Sequence, residues 1–321
     1  MLNSEKVSIM NILVGYTGFV GSNLHSQYNF DRVYNSKNIS DAFGSNPDLC
    51  IYAGVRAEKF LANNDPKADM AIIDNAVENI KRIKPKRLVL ISTIDVYKAP
   101  YNCDENTSVD EKGLHAYGLN RCHLEKQCAD NIASCHIIRL PGLFGKNIKK
   151  NFIYDLIHIL PSVLGEAKFN ELSEKEAAIK SSYTKQGNGF YKLTMVTDSG
   201  SVELLDAFTR LKFSALSFTD SRAVFQFYNL SYLWEHIDFS ISNEIRLLHL
   251  AVEPVSASEL YTAIRGGVFY NDTTANPPYY DSKSVYASRL GGRGSYIFSK
   301  QQIIGEIKEF VADYNLLPWR E

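Results

Sequence analysis

Three glycines spaced three residues apart, Gly15, Gly18 and Gly21, have the type and spacing needed to bind a phosphate group. They follow the apolar run 11–14 and precede a segment, 22–28, that is typical of a helix. Glycine lets the chain turn sharply and lets the backbone approach a pyrophosphate without a Cβ in the way. The following helix would point its free N–H groups at the phosphates. The order strand, glycine turn, helix therefore predicts a dinucleotide-binding turn; the alternative is a loop with three incidental glycines.

A second combination able to do chemistry is a phenol beside a positive charge. Tyr117 and Arg121 are four residues apart, so a helix places them on the same face. A phenol can act as a base when nearby positive charge lowers its pKa. The alternative is a surface pair on an ordinary helix.

Apolar segments alternate with amphipathic segments around these residues. In the helix predicted for 67–84, the apolar residues fall on one face, and Pro85 ends it. This alternation predicts an α/β doubly wound parallel sheet, in which ligands bind beyond the carboxyl ends of the strands. The predicted strands are 11–14, 32–34, 49–53, 87–92, 135–139 and 246–251, and a final amphipathic helix is predicted at 301–314.

Composition argues against several classes of protein. The chain has 321 residues, of which 45% are apolar and 22% charged, as in globular proteins. A net charge of −1 gives no attraction to nucleic acid or to an anionic membrane, and no apolar run is long enough to span a bilayer. Residues 1–9 are too few and too polar for a signal peptide. The five cysteines lack metal-site spacing, so we expect no metal and free thiols in a reducing cytoplasm.

The glycine turn resembles that of a known family. Its spacing is Gly-x-x-Gly-x-x-Gly, with Thr17 before the second glycine and Phe19-Val20 after it. This pattern resembles the extended short-chain dehydrogenase/reductase family, which includes nucleotide-sugar epimerases, dehydratases and reductases. The resemblance implies a Rossmann-type nucleotide-binding sheet with a smaller C-terminal substrate-binding lobe.

The resemblance extends to a catalytic pattern, a Ser or Thr at a strand end followed by Tyr-x-x-x-Lys. Thr93 fits the hydroxyl position, which orients the substrate oxygen, and Tyr117 fits the catalytic base. That base removes the hydroxyl proton as a hydride leaves the sugar carbon. Arg121 replaces the family's lysine, which holds the cofactor ribose and lowers the pKa of the tyrosine. Arginine is longer, planar and always protonated, so we expect electrostatic support from Arg121 but no proton relay.

The resemblance also implies an NAD or NADP site. The loop after the second strand lacks the acid that holds the ribose in NAD-specific sites. It offers Lys37, which either meets a 2′-phosphate or is a solvated loop lysine, so NADP is only slightly favoured over NAD. The expected cofactor-binding residues are Gly15, Thr17, Gly18, Phe19, Val20, Gly21, Asn35, Ser36, Lys37, Ala53, Gly54, Tyr117 and Arg121.

The positions after Thr93 bear on the reaction type. The family's dehydratases carry an Asp-Glu pair there, whereas this chain has Ile94 and Asp95, so dehydration is disfavoured. The cysteine that the family's epimerase/reductases use at the second of these positions is also missing. Asp95 contacts substrate or, alternatively, bonds local backbone. The residues that the resemblance assigns to the substrate are Asp95, Asn151, Arg222 and Arg293, with Arg289 as an alternative to Arg293.

The resemblance covers residues 10–155 well and the remainder in patches. It implies a nucleotide-binding domain at 1–155, with return segments at 219–252, and a substrate lobe at 156–218 and 253–321. The expected function is NAD(P)-dependent oxidation, reduction or epimerisation of a nucleotide-activated sugar. The alternative is a non-catalytic NAD(P)-binding protein in which Arg121 marks a decayed or regulatory site. We also expect a homodimer, because the helices around 73–83 and 117–128 carry apolar positions beyond one core-facing stripe and the family's corresponding helices form a four-helix interface.

Overall fold

The computed structural model of the protein describes residues 9–194 and 198–316. The strands are β1 (Asn11–Val14), β2 (Arg32–Tyr34), β3 (Leu49–Tyr52), β4 (Leu88–Thr93), β5 (Cys135–Leu140), β6 (Gly142–Phe144), β7 (Val163–Leu164), β8 (Tyr183–Lys185), β9 (Tyr191–Leu193), β10 (Val224–Phe225), β11 (Phe227–Asn229), β12 (Leu247–His249) and β13 (Val255–Ser256). The α-helices are α1 (Phe19–Gln27), α2 (Lys59–Asn64), α3 (Pro66–Ile83), α4 (Ala116–Asn131), α5 (Phe152–Ile157), α6 (Glu166–Ser173), α7 (Ala177–Ser182), α8 (Asp198–Arg210), α9 (Leu233–Ser242), α10 (Ala257–Arg265) and α11 (Lys300–Leu316).

Six strands form one parallel sheet in the order β12-β5-β4-β3-β1-β2. Ile12 of β1 lies opposite Arg32 on one side and Cys50 on the other. All four residues of β3 are buried, as expected for a parallel sheet covered on both faces. The predicted α/β doubly wound sheet is therefore confirmed, including β12, the late strand that returns beside β5.

Helices cover the two faces of this sheet. On one face, Ile12 and Leu88 share a core with Ile73 of α3 and Leu124 of α4. Alternate strand residues point to the other face, where His136 of β5 contacts Ser240 of α9. None of the helices in the described ranges is long and apolar enough to cross a membrane.

The strand order changes direction at β1. The chain runs from β1 to β2 on one side and then to β3 on the other, with only a 3₁₀ turn, Ile39–Ala42, between β2 and β3. In open α/β sheets, ligands bind at such a switch point, beyond the carboxyl ends of the strands. The glycine turn follows β1 and therefore occupies that position.

Residue contacts divide the chain into two compact units. The larger consists of 1–148, 224–255 and 278–306, and the smaller of 149–223, 256–277 and 307–321. In the smaller unit, β7, β9 and β8 form an antiparallel sheet. Leu164 of this sheet shares a separate apolar core with Phe169 and Phe208 of the surrounding helices. The smaller unit is thus a compact substructure built from short elements.

Candidate functional site

The three glycines of the turn are needed for different physical reasons. Gly15 has φ +92, and a Cβ there would lie 2.4 Å from the carbonyl oxygen of Ala53. A Cβ on Gly21 would lie 2.1 Å from the carbonyl oxygen of Gly15. Gly18 is exposed, and a Cβ on it would meet only that same oxygen, at 3.3 Å. Packing therefore requires the first and third glycines, whereas the middle one leaves open space at the surface.

The N-terminus of α1 is also open. Gly18 is its N-cap and has no side chain to accept the first N–H groups. By contrast, Asp65 caps α3 and His115 caps α4 with side-chain acceptors. The helix begins at Phe19, earlier than the predicted residue 22, because the turn itself supplies its first residues. An exposed, uncapped helix N-terminus beside a glycine turn fits the phosphates of a dinucleotide.

The other expected cofactor contacts lie at the ends of β2 and β3. The Asn35 side chain accepts the Lys37 backbone N–H at 2.9 Å, and Ser36 and Lys37 are exposed. Ala53 donates its N–H to Val14 at 2.9 Å, which joins the ends of β3 and β1. The expected cofactor residues of the first three strands thus belong to adjacent strand ends, and the loop after β2 contains no carboxylate from 35 to 40.

Tyr117 is brought to the end of β4 by three contacts. The Asn63 side chain of α2 accepts the Tyr117 backbone N–H at 2.9 Å. His115 Nδ1 accepts the Gly118 N–H at 2.9 Å and so caps α4. A Cβ on Gly118 would lie 2.2 Å from the Asp95 carbonyl oxygen, so the first turn of α4 lies directly on this backbone.

Thr93 contacts Asp95 from the strand side. Its Oγ1 accepts the Asp95 backbone N–H at 3.1 Å, which starts the 3₁₀ turn Ile94–Val96. Below it, Ser92 donates to Glu125 of α4 at 2.5 Å, and Arg139 Nε donates to the same carboxylate at 3.0 Å. These buried polar contacts fix α4 against β4 and β5. The structure therefore brings Thr93, Asp95 and Tyr117 together.

Arg121 forms a buried ion pair that the sequence did not reveal. Its guanidinium donates to both oxygens of Asp69 on α3, at 2.8 and 3.1 Å, and to the Arg56 carbonyl at 2.7 Å. The two side chains are only 5% and 10% exposed. The guanidinium carbon lies 4.5 Å from the ring centroid of Tyr117. Burial raises the pKa of the Tyr117 phenol, and the charge of Arg121 opposes that rise without cancelling it.

Lys59 and Tyr280 join this site without having been expected there. Lys59 Nζ donates to Asp95 Oδ1 at 2.7 Å and to the Tyr280 hydroxyl at 3.1 Å, and that hydroxyl donates to the same oxygen at 3.0 Å. Lys59 follows the end of β3, so the rule that ligands bind at strand ends offered a signal for it. Tyr280 lies 185 residues from Asp95, and no local pattern pointed to it.

The remaining predicted substrate residues are placed separately. In the smaller unit, Asn151 caps α5 through its side chain, and Arg222 donates to Asp220 and Asp272. In the larger unit, Arg293 is exposed, whereas Arg289 donates to Asn243 at 2.5 Å. Their roles in substrate binding stay predictions. Within the described ranges, no group of three or more His, Cys, Asp or Glu side chains is placed to hold a metal ion.

No family model and no curated protein matches this sequence, but solved structures share its fold. The chain is similar to dTDP-4-dehydrorhamnose reductase from Bacillus anthracis in complex with NADP, with 15% identity, a TM-score of 0.62 and coverage of 95% of this chain and 99% of that one. It is also similar to RMD from Pseudomonas aeruginosa complexed with NADPH, at 12% identity, TM-score 0.60 and coverage of 95% and 98%. UDP-N-acetylglucosamine 4-epimerase from Bacillus cereus matches at 14% identity, TM-score 0.54 and coverage of 98% and 99%. At these identities the similarity establishes the fold, which is that of nucleotide-sugar reductases and epimerases.

Proposed function

We propose that this protein is an NAD(P)-dependent oxidoreductase or epimerase that acts on a nucleotide-activated sugar by transient hydride transfer at a carbinol carbon. The observation that carries the proposal is the meeting of Thr93 and the first turn of α4 at Asp95. This meeting point lies at the carboxyl end of β4, in the sheet whose strand β1 leads into the open glycine turn. The solved structures of the same fold include a reductase with NADP and an epimerase of a nucleotide sugar.

The glycine turn would hold the cofactor. Gly15 and Gly21 let the turn pack closely, Gly18 leaves room for the pyrophosphate, and the open N-terminus of α1 offers N–H donors to it. Asn35, Ser36 and Lys37 would meet the adenosine ribose, and the lysine without a neighbouring acid slightly favours NADP. Ala53 and Gly54 would line the same side. When bound, the nicotinamide accepts or donates the hydride.

Tyr117 would move the proton that accompanies the hydride. Burial raises the pKa of its phenol, so the hydroxyl keeps its proton and can donate it to a carbonyl oxygen in the reductive direction. In the oxidative direction it accepts the proton of the sugar hydroxyl and needs positive charge nearby, which Arg121 supplies across the ring. Thr93 would orient the reacting oxygen by a hydrogen bond.

Cofactor binding is tested by titrating the protein with NAD, NADH, NADP and NADPH and following nicotinamide fluorescence or heat. Gly18→Val should abolish binding, because its side chain would occupy the space of the pyrophosphate. Gly305→Val, at a helical position with no neighbour within 4 Å of an added Cβ, is the matched control and should bind normally. If wild type binds none of the four nucleotides, the proposal fails.

Turnover is tested with a panel of UDP-, GDP- and dTDP-sugars, by nicotinamide absorbance and by chromatography of isomerised products. Tyr117→Phe should abolish turnover and leave cofactor affinity nearly intact. Arg121→Lys should retain or raise turnover if the arginine only supplies charge, and Arg121→Met should depress it.

The rival proposal is a non-catalytic NAD(P)-binding protein, and the Arg121–Asp69 pair favours it. Asp69 and a backbone carbonyl take three of the five N–H donors of this buried guanidinium, which leaves only two for a ribose. Cofactor binding without turnover in wild type, together with turnover in Arg121→Lys, would identify a decayed enzyme. Inactivity of both variants over the panel would favour the binding protein.

We further propose that the protein is a cytoplasmic homodimer. Ile72 of α3 is 40% exposed, and Phe60 and Leu61 of the neighbouring α2 are also exposed, which gives this region apolar surface suited to a second copy. All five cysteines are free and buried, as a reducing compartment allows. A monomer mass in light scattering at micromolar concentration would contradict the dimer.

A further inference from the structure

Lys59, Asp95 and Tyr280 form a polar cluster that the proposed mechanism does not use. Asp95 Oδ1 accepts hydrogen bonds from both partners, and Tyr280 also accepts one from Lys59. Two of the three N–H donors of the ammonium are engaged in this way. The Lys59 side chain is 40% exposed and that of Asp95 is 17% exposed, so the ammonium is fixed at one side and open to solvent at the other.

The cluster lies against the turn that carries Tyr117. Lys59 and Asn63 are four residues apart on α2 and so share a face, and Asn63 accepts the Tyr117 N–H. From the other side, the Asp95 carbonyl touches Gly118. Two independent contacts therefore bring the cluster beside the first turn of α4, one through α2 and one through the end of β4.

Among the described residues, Arg121 and Lys59 both place positive charge near Tyr117, and their surroundings differ. Arg121 is buried, bonded to both oxygens of Asp69 and permanently protonated. Lys59 is half-buried, shares one oxygen of Asp95 with Tyr280, and has one side open to solvent. We propose that Lys59 is a positioning residue of this site, an ammonium held by Asp95 and Tyr280 beside Tyr117 that supplies the phenol with a second positive charge in addition to that of Arg121. The effect of Lys59 on catalysis rests on the proposed function, whereas its position beside Tyr117 does not.

The described residues that place charged or titratable groups around Tyr117 include Arg121 on α4, Asp69 on α3, Lys59 on α2, His115 before α4, Asp95 after β4 and Tyr280. Besides burial, the charges that shift the pKa of Tyr117 are Arg121 and Lys59, which lower it, and Asp95 and Asp69, which raise it. Burial and then the charge of Lys59 lower the pKa of His115. Burial lowers the pKa of Lys59 itself, but Asp95 and Tyr280 outweigh it, so the ammonium stays charged.

The test measures the pKa of the phenol at position 117 and needs neither cofactor nor substrate. Trifluorotyrosine is introduced in place of Tyr117, since its lower intrinsic pKa brings the titration into a range where the protein stays folded, and ¹⁹F NMR follows its ionisation. Lys59→Met should raise that pKa by about one pH unit, the size expected for the loss of a positive charge near the protein surface. Lys59→Arg should leave it within a few tenths of a unit, and Asp95→Asn should lower it.

The matched control is Lys86→Met. Lys86 forms an ion pair with Asp48 of the same length, 2.7 Å, but Asp48 bonds the Met10 N–H before β1, at the opposite end of the strands. This variant should not move the titration. If Lys59→Met and Lys59→Gln, both folded by circular dichroism, leave the phenol pKa unchanged, Lys59 is a surface lysine and the proposal is wrong.

A turnover assay adds a second readout that a structural role would not move. In a wild type that turns over any sugar of the panel, Lys59→Met should lower kcat about tenfold with little change in KM, as loss of about 1.4 kcal/mol of transition-state stabilisation predicts. The basic limb of the pH profile should shift upward, and Lys59→Arg should restore both. Absence of turnover in wild type would count against the proposed function alone, because the NMR titration still decides the placement of Lys59.

Discussion

The β1–α1 turn and the β4–α4 region are both strand-to-helix passages at the carboxyl edge of the sheet, yet they are organised in opposite ways. At β1, the helix begins at exposed Gly18 with no capping side chain. At β4, the helix begins at His115, whose imidazole caps it, and its first turn lies on Asp95. The first passage leaves the first N–H groups of α1 without a side-chain acceptor and the space beside them open, whereas in the second passage side chains of the protein accept the first N–H groups of α4.

This difference fits the two roles that we propose for this edge of the sheet. An anion such as a pyrophosphate needs unpaired N–H groups and no side chain in the way, and the first passage has both. Aiming a phenol needs a rigid backbone, which the Asn63, His115 and Asp95 contacts supply at the second. The two glycines therefore differ in what an added Cβ would meet, since Gly18 borders open space at the surface and Gly118 lies against the Asp95 carbonyl oxygen.

The largest loss of stability is expected when the buried Arg121–Asp69 ion pair of the second passage is broken. Asp69→Ala leaves the Arg121 guanidinium buried without its carboxylate and should lower the free energy of unfolding by about 3–5 kcal/mol, measured by urea denaturation. Lys86→Ala, which breaks an exposed ion pair, is the control and should cost less than about 1 kcal/mol. Equal effects would mean that the Arg121–Asp69 pair does not hold α4.

A smaller effect is expected from adding an atom to the packed part of the first passage. Gly21→Ala would place a methyl carbon 2.1 Å from the Gly15 oxygen and should cost about 1–3 kcal/mol by overpacking. Gly305→Ala, in the open on α11, should instead stabilise the protein by up to about 1 kcal/mol through helix propensity. If thermal denaturation shows a lower melting temperature for Gly21→Ala and a higher one for Gly305→Ala, then packing around the glycine, and not the removal of a glycine as such, decides the change in stability.

The cap of α4 should contribute less and should depend on pH. His115→Ala should cost about 1 kcal/mol at pH 8, as loss of an N-cap does. The folded-state pKa of His115 is lowered by burial, so the neutral acceptor stabilises the fold above the unfolded-state value of about 6.5. This contribution is lost as the pH falls through the folded-state pKa, and the difference between wild type and variant should shrink at acidic pH.

The matched control for this titration is Ser256→Ala, which removes the hydroxyl cap of α10. Because a serine hydroxyl does not titrate in this range, the loss of unfolding free energy in Ser256→Ala should be the same at pH 8 and at acidic pH in urea denaturation. If the stability cost of His115→Ala and that of Ser256→Ala changed in parallel between pH 8 and acidic pH, the cap of α4 would not be a titrating group.

The smallest change in stability is expected at the open glycine. Gly18 has φ −79 and ψ 170, which alanine adopts freely, so Gly18→Ala should stay within about 0.5 kcal/mol of wild type in urea denaturation. A large loss would show that Gly18 is required by packing, and the contrast between the two passages would disappear.

Much of the larger unit was predictable because its signals are local. Residues 11–14 were predicted as a strand and are β1, since a short apolar run between turn residues is typical of a buried strand in an α/β sheet. The strand predicted at 32–34 is β2. The helix predicted at 67–84 is α3, from Pro66 to Ile83. In the smaller unit, β7 to β9 have two or three residues each. Such short strands leave no periodic pattern, so only the absence of αβ alternation was visible there.

The site divides in the same way. Spacing within one element predicted the glycine turn and the shared helix face of Tyr117 and Arg121, whereas the pairing of Thr93 with Tyr117 came from the family resemblance; the roles of these residues stay predictions.

The sequence by itself determined the parallel sheet and the glycine turn, because these follow from periodicity and spacing within single elements, and its resemblance to a known family pointed to a hydroxyl and a phenol at one strand end. The tertiary structure alone decided that Arg121 faces Asp69 and that Lys59 and Tyr280 join Asp95. Partners such as Tyr280 are far apart in the chain and meet only when the sheet and its crossovers are assembled. The charge at the site is therefore a property of the fold, whereas the open turn is a property of seven consecutive residues, 15–21.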